Sequence, residues 1–141
     1  MIAQRRGFTA AELLVVMAIV AVLMTVAASR LLALRDEAAV HAASGEALHA
    51  FALAREAAVS RRAAVSVRLD TAAGAIVVQL PARVLHRRAL RSVYGVSLAT
   101  NRDSMAYDPR GLGFGAANLS LVIRRGAAVD TVTVARLGRV R

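Results

Sequence analysis

The chain has 141 residues, enough for one small domain plus one anchoring segment, and its lack of cysteine excludes a disulfide framework and a thiolate metal site. Basic residues number 19 against 9 acidic ones, the formal net charge is +10, and every basic residue is arginine. A nucleotide bias accounts for arginine over lysine; the excess of base over acid points to an acidic partner such as nucleic acid or anionic lipid.

The N-terminus reads Arg5-Arg6-Gly7-Phe8-Thr9-Ala10-Ala11-Glu12, followed by an apolar run from Leu13 to Met24. Phe8 to Ala28 would be about 31 Å long as a helix, just enough to span a bilayer. An ionised Glu12 near the end of that span is expensive and needs a partner, such as an ammonium group on a neighbouring chain. Three plainer readings compete. The segment is a single-span anchor with Glu12 snorkelling to the interface. Or it is a secretory signal cut between Ala28 and Ser29. Or Arg5-Arg6 begin a twin-arginine export signal. The mature N-terminus separates them: Phe8 for processing after Gly7, Ser29 for ordinary secretion, Met1 for an uncut anchor.

The helix should continue past the membrane, from about Thr9 to about Ala63. Leu31 to Arg62 contains no Pro and only Gly45, with Ala, Leu, Arg and Glu dominant. Leu48, Ala52, Arg55 and Val59 recur at helical spacing, flanked by Phe51 and Ala58, and predict a stripe that packs on a sheet. Ser44 and Gly45 mark a candidate bend.

The period then changes from helical to alternating. Val65, Val67 and Leu69 predict a half-buried strand; 71–74 is a turn, and Ala75 to Leu80 is the return strand, ended by Pro81. Arg83 to Leu90 reads as strand or loop. Tyr94, Val96 and Leu98 alternate, and Met105 to Tyr107 is a short strand. Asp108-Pro109-Arg110-Gly111 is a turn, with 112–117 a glycine-rich loop. Leu119, Leu121 and Ile123 predict another strand, and Asp130 to Leu137 the last. One long helix before six or seven short strands argues an α+β fold, with the helix laid on antiparallel sheet.

The order of glycine, aromatic, acid and apolar run resembles the N-terminus of type IV prepilins. That resemblance implies a leader at 1–7, cleavage after Gly7 by a prepilin peptidase, methylation of Phe8, and an assembly role for Glu12 as fifth residue of the mature chain. Loss of Arg5 and Arg6 would take the charge from +10 to +8. Three further segments resemble the GspH/FimT group of minor pilins: Phe51 to Arg61, Tyr107 to Gly111, and Val132 to Arg141. The chain departs from that group in having no Trp where a Trp-Gly segment is common after the first hairpin. The resemblance implies a pilin-like fold with a transmembrane and assembly helix at 8–30 and an extracytoplasmic domain at 31–141. It implies a low-abundance subunit at or near the tip of a type IV pilus or a type II secretion pseudopilus. The partners would be other pilins or pseudopilins through the helix, and the inner membrane.

Group members that act in DNA uptake carry a C-terminal Gly-Arg-x-Arg pattern, matched here by Gly138, Arg139, Val140 and Arg141. Arg139 and Arg141 share one side of an extended segment, Arg136 falls on the other unless a bulge intervenes at Gly138, and Arg124 and Arg125 approach from the neighbouring strand. These five are the candidate DNA-binding residues, with double-stranded DNA the candidate partner: guanidinium suits phosphate, and aromatics for base stacking are nearly absent. The plainer reading of the tail is an edge strand blunted by charge. Chemistry of other kinds finds little support. His41, His49 and His86 lack a carboxylate-rich ligand set, no serine has a nucleophile-elbow context, and the glycines at 111–115 do not form a phosphate loop. The expectation is a protein of assembly, with no catalytic residue, metal or cofactor. An anchored periplasmic binding module that never enters a filament is the alternative from another class.

Overall fold

The structure is a computed structural model, and it describes residues 8–114, 118–135 and 138–141. The first element is a single helix, α1 (Ala10–Arg61). Contacts divide the chain into two compact units, 1–34 and 35–141. In the first, every described side chain is exposed, from Phe8 to Leu34. Its part of α1 is long and apolar enough to cross a membrane.

The second unit is the folded domain. After α1 come β1 (Val65–Asp70), β2 (Ala75–Leu80), β3 (Arg83–Ala89), α2 (Leu90–Tyr94), β4 (Ser97–Thr100), β5 (Ser104–Tyr107), β6 (Gly113–Phe114), β7 (Leu119–Arg125) and β8 (Ala128–Val134). They form a five-stranded sheet in the order β3-β2-β1-β5-β6 and a three-stranded sheet in the order β4-β7-β8. Every pairing is antiparallel. The fold is α+β, as the change of period predicts.

Alternation places the core. Val65, Val67 and Leu69 of β1, Leu119, Leu121 and Ile123 of β7, and Val132 and Val134 of β8 are all buried. They join one cluster with Val40, Ala43, Ala47, Ala50, Phe51, Ala54 and Ala58 of α1. The helix thus meets the sheets with a face made mostly of methyl groups, with one phenyl ring among them.

Several expectations are corrected here. The stripe of Leu48, Ala52, Arg55 and Val59 does not face the sheets: Leu48 is 38% and Val59 49% exposed, and Ala52 and Arg55 are also exposed. The buried face is the alanine row beside it. The sequence is apolar on several sides of the helix, so periodicity alone could not choose among them. Ser44 and Gly45 do not interrupt α1. Of the two readings left open for Arg83 to Leu90, strand holds for Arg83 to Ala89, which lies at a sheet edge with Arg83 and Arg87 exposed, a charged edge that resists pairing with other chains. Tyr94 belongs to α2 and not to a strand; Gly95, in left-handed conformation at φ 67°, ends that helix. Gly113 and Phe114, expected in a loop, pair with β5. The last strand begins at Ala128, earlier than expected, and ends at Val134.

Candidate functional site

At the N-terminal end, Thr9 caps α1. The Glu12 Oε2 accepts from the Thr9 backbone N–H at 2.8 Å and from its hydroxyl at 2.9 Å, and the Glu12 N–H donates to Thr9 Oγ1 at 3.2 Å. This is a reciprocal capping box, which satisfies amide groups that the first helical turn leaves without partners. Its signal was legible: Thr-x-x-Glu ahead of an apolar run. Reading Glu12 only as a charge for a neighbouring chain misses it. Phe8 is 77% exposed. Gly7 lies outside the described residues.

At the other end of the chain, the tail folds back on β8. The Ala135 N–H donates to the Arg139 carbonyl at 2.7 Å, and Thr133 and Arg141 exchange backbone hydrogen bonds at 2.7 and 2.9 Å. Val134 and Val140 face each other as a bridge. The Gly138 N–H donates to the Ala135 carbonyl at 2.8 Å and closes the turn. Gly138 sits at φ 78°, and a Cβ there would lie 2.8 Å from Tyr107 Cε1 and 3.1 Å from the Gly111 carbonyl. Only glycine fits both the left-handed bulge position and the ring against it. Arg139 and Arg141 are exposed with the same parity, while Val140 packs against the core. Arg136 lies outside the described residues.

Arg124 and Arg125 are not on the tail's neighbouring strand: β8 lies between the tail and β7, and both arginines sit at the far end of β7. Arg124 pairs with Val129 and Arg125 with Ala128, whereas the tail pairs at Val134. Val129 and Val134 are about 17 Å apart along a strand. Arg125 is moreover committed elsewhere. Its Nε lies 2.8 Å from Asp36 Oδ1, and its Nη1 donates to the Tyr94 carbonyl, tying α1, α2 and β7 together. The structure thus brings Arg139 and Arg141 together and separates them from Arg124 and Arg125.

A groove that the sequence did not announce runs between α1 and the tail. It holds about 620 Å³. Leu48, Ala52 and Val59 line one side, Gly138 to Val140 the other, with Tyr107 between. Tyr107 is fully buried and its hydroxyl has no hydrogen-bond partner among the described residues. Burial pushes its pKa up to about 12, against the opposing pull of the Arg55 charge. The signal for the groove lay in the larger apolar residues Leu48 and Val59, which share a helix face with Arg55.

The three histidines divide. His49 meets His86 edge-on with ring centroids 6.3 Å apart, beside Glu46, which accepts from Arg88 Nη2 at 3.2 Å and from the Tyr94 hydroxyl at 3.4 Å. His41 stands apart, beside Asp130. The Ser44 hydroxyl nearby, the Thr131 N–H and the His41 charge hold the Asp130 carboxyl below its usual range, against the opposing effect of burial. Among the described residues no three of His, Asp and Glu gather as a metal-ligand set.

Comparison with known proteins places this architecture. The family described as type II transport protein GspH matches residues 43–138. Two crystal structures of the type IV minor pilin FimU from Pseudomonas aeruginosa (strain PAO1) share the fold at 14% sequence identity. The form in space group P21 has a TM-score of 0.63 and covers 72% of this chain and 86% of its own. The form in space group P65 has a TM-score of 0.61, covering 72% and 90%. No curated protein matches. With the family match extending over more than half its length, and with a long apolar helix leading into two antiparallel sheets, the chain belongs to the GspH family of pilin-like proteins.

Proposed function

We propose that the chain is a minor pilin or pseudopilin, processed after Gly7, methylated at Phe8, and held in the inner membrane by residues 8–30 until it enters a filament. A prepilin peptidase is then its processing partner and other pilins its structural partners. Residues 31–141 form the domain outside the membrane. Its work is assembly and not catalysis, in keeping with a family of structural subunits. The observation that carries the reading is a helix of membrane-spanning length, every described side chain of its first part uncovered, joined to a GspH domain. Such a surface needs lipid or neighbouring helices around it.

Glu12 pairs with the Phe8 amine of the adjacent subunit. The capping box does not compete with this: Thr9 uses one carboxylate oxygen, Oε2, and leaves Oε1 to a neighbour. At low dielectric the attraction is strong but desolvation offsets much of it, so the pair sets register more than stability. Two substitutions separate charge from cap. Glu12→Gln keeps a residue able to complete the box; Glu12→Ala removes both. Both variants should be cleaved after Gly7 and both should fail to enter filaments, read by N-terminal sequencing and by quantifying the protein in sheared filaments. Normal incorporation of Glu12→Gln would leave Glu12 a helix cap and nothing more.

A second reading adds duplex DNA as a ligand of the tail. The observation that favours it is the exposed, same-sided pair Arg139 and Arg141, which makes no ion pair among the described residues. Phosphate contacts of this kind are insensitive to sequence and weaken with salt. Gel-shift titration of the full chain in detergent, with Arg139 and Arg141 both changed to Gln, tests it: the variant should lose most retention of duplex. Equal retention would remove the pair from DNA binding.

A further inference from the structure

We propose that the groove between α1 and the C-terminal tail receives an extended segment of a different chain, one in which acidic and apolar side chains alternate, added as a strand on the outer edge of the tail. Family membership supplies the setting, a neighbouring subunit. The groove's chemistry stands without the Glu12 pairing.

Three observations converge. First, the helix wall is uncovered although it is apolar. Leu48, Ala52 and Val59 follow one another at helical spacing on the exposed side of α1, while the domain's own sheets take the alanine row. Second, the opposite wall is a strand edge. Residues 133, 135, 139 and 141 supply the hydrogen bonds between tail and β8. By alternation, the Val140 N–H and carbonyl turn away from β8, available to an added strand. Third, arginine outnumbers carboxylate in the lining. Arg55 and Arg139 both line the groove, and neither is in an ion pair among the described residues. Glu56 is the one carboxylate lining it among those residues. The buried Tyr107 hydroxyl beneath lacks an acceptor, and at a pKa of about 12 it stays a donor at any physiological pH.

Each feature matches one property of the occupant. A strand presents its side chains alternately to two faces. One set lies on Leu48, Ala52 and Val59, beside Arg55, and the other lies on the side of Arg139, whose guanidinium fork suits carboxylates. A second copy of this chain is a poor fit, since at +10 it brings like charge to a basic site. A nucleic acid duplex gains nothing from an apolar wall.

The test uses the full chain in detergent and a short fluorescent peptide of alternating Glu and Val, read by anisotropy. The peptide should bind, and a peptide of alternating Arg and Val should not. Ala52→Trp fills the groove from an exposed helix position, and Arg139→Glu reverses one wall charge; each should weaken binding by about tenfold or more. Arg139 is exposed on the tail, so its variant keeps the test decisive if Ala52→Trp unfolds. Glu12→Gln should bind as the parent does, which separates failure here from failure of the assembly reading. No binding of the acidic peptide, or full affinity in both groove variants, overturns the proposal. So does displacement of the peptide by duplex DNA that depends on residue 139 but not on residue 52, which would make this a nucleic-acid surface.

Discussion

The two parts of α1 use apolar residues in opposite ways. Residues 8–34 carry Phe, Leu, Val, Ile and Met, and bury none of them; Leu14 is 69% exposed and Met17 70%. From Val40 to Ala58 the buried face is mostly alanine, yet that face makes the core. Bulk therefore does not mark the buried face of this helix. The first part has the length and apolarity of a membrane-crossing helix, a setting in which large aliphatic side chains are at ease. The second meets strands that supply the larger side chains themselves, such as Val67, Ile76, Leu121 and Ile123, so small residues on the helix complete the packing.

Substitutions can break or sharpen that contrast. The largest effect belongs to Phe51, the one large ring on the alanine face. Phe51→Ala should cost about 3–5 kcal/mol of domain stability, measured by chemical denaturation, while Leu14→Ala should leave the same transition unmoved. Equal losses would mean that the two parts unfold as one body. Next comes overpacking. Ala54 is fully buried and Ala52 exposed. Ala54→Leu should destabilise by about 1–3 kcal/mol, and Ala52→Leu by no more than roughly 0.5 kcal/mol.

The smallest effect is a matter of pH. The folded state holds the Tyr107 proton up to about pH 12, whereas an unfolded tyrosine releases it near pH 10. The stabilisation is complete below the unfolded value and is lost as pH rises through the folded one. With no lysine in the chain, no side-chain amine titrates across that window. Thermal melts between about pH 10 and 12 should therefore fall more steeply for the parent chain than for Tyr107→Phe. Parallel curves would place the Tyr107 hydroxyl in water.

Much of this was legible before the structure. Period-2 alternation marked β1 and β7 because each buries one face of a sheet, so 65, 67 and 69, and 119, 121 and 123, had to match. The helix was legible in extent but not in orientation. An alanine-rich sequence is a strong helix former everywhere, and Leu48 and Val59 put larger apolar side chains among the charges of the outer face than the alanines of the core face carry. The five residues of α2 and two of β6 are too few to show a period. Of the candidate sites, Glu12 and the exposed tail arginines could be read from residue type and spacing. The commitment of Arg125 to Asp36 and Tyr94 could not, because it depends on elements 89 and 31 positions away in the chain. The groove was hidden for the same reason: one wall comes from position 48 and the other from position 140.

The alanine face has a mechanical consequence. Rows of methyl groups interlock weakly along a helix axis, so they resist separation of helix from sheet far better than sliding between them. Resistance to sliding then falls to the Phe51 ring, to the clasp from Asp36 to Arg125, and to Glu46 held by Arg88 and Tyr94. A chain pulled along that axis would slip like a drawer once those catches give way, with its strands still paired.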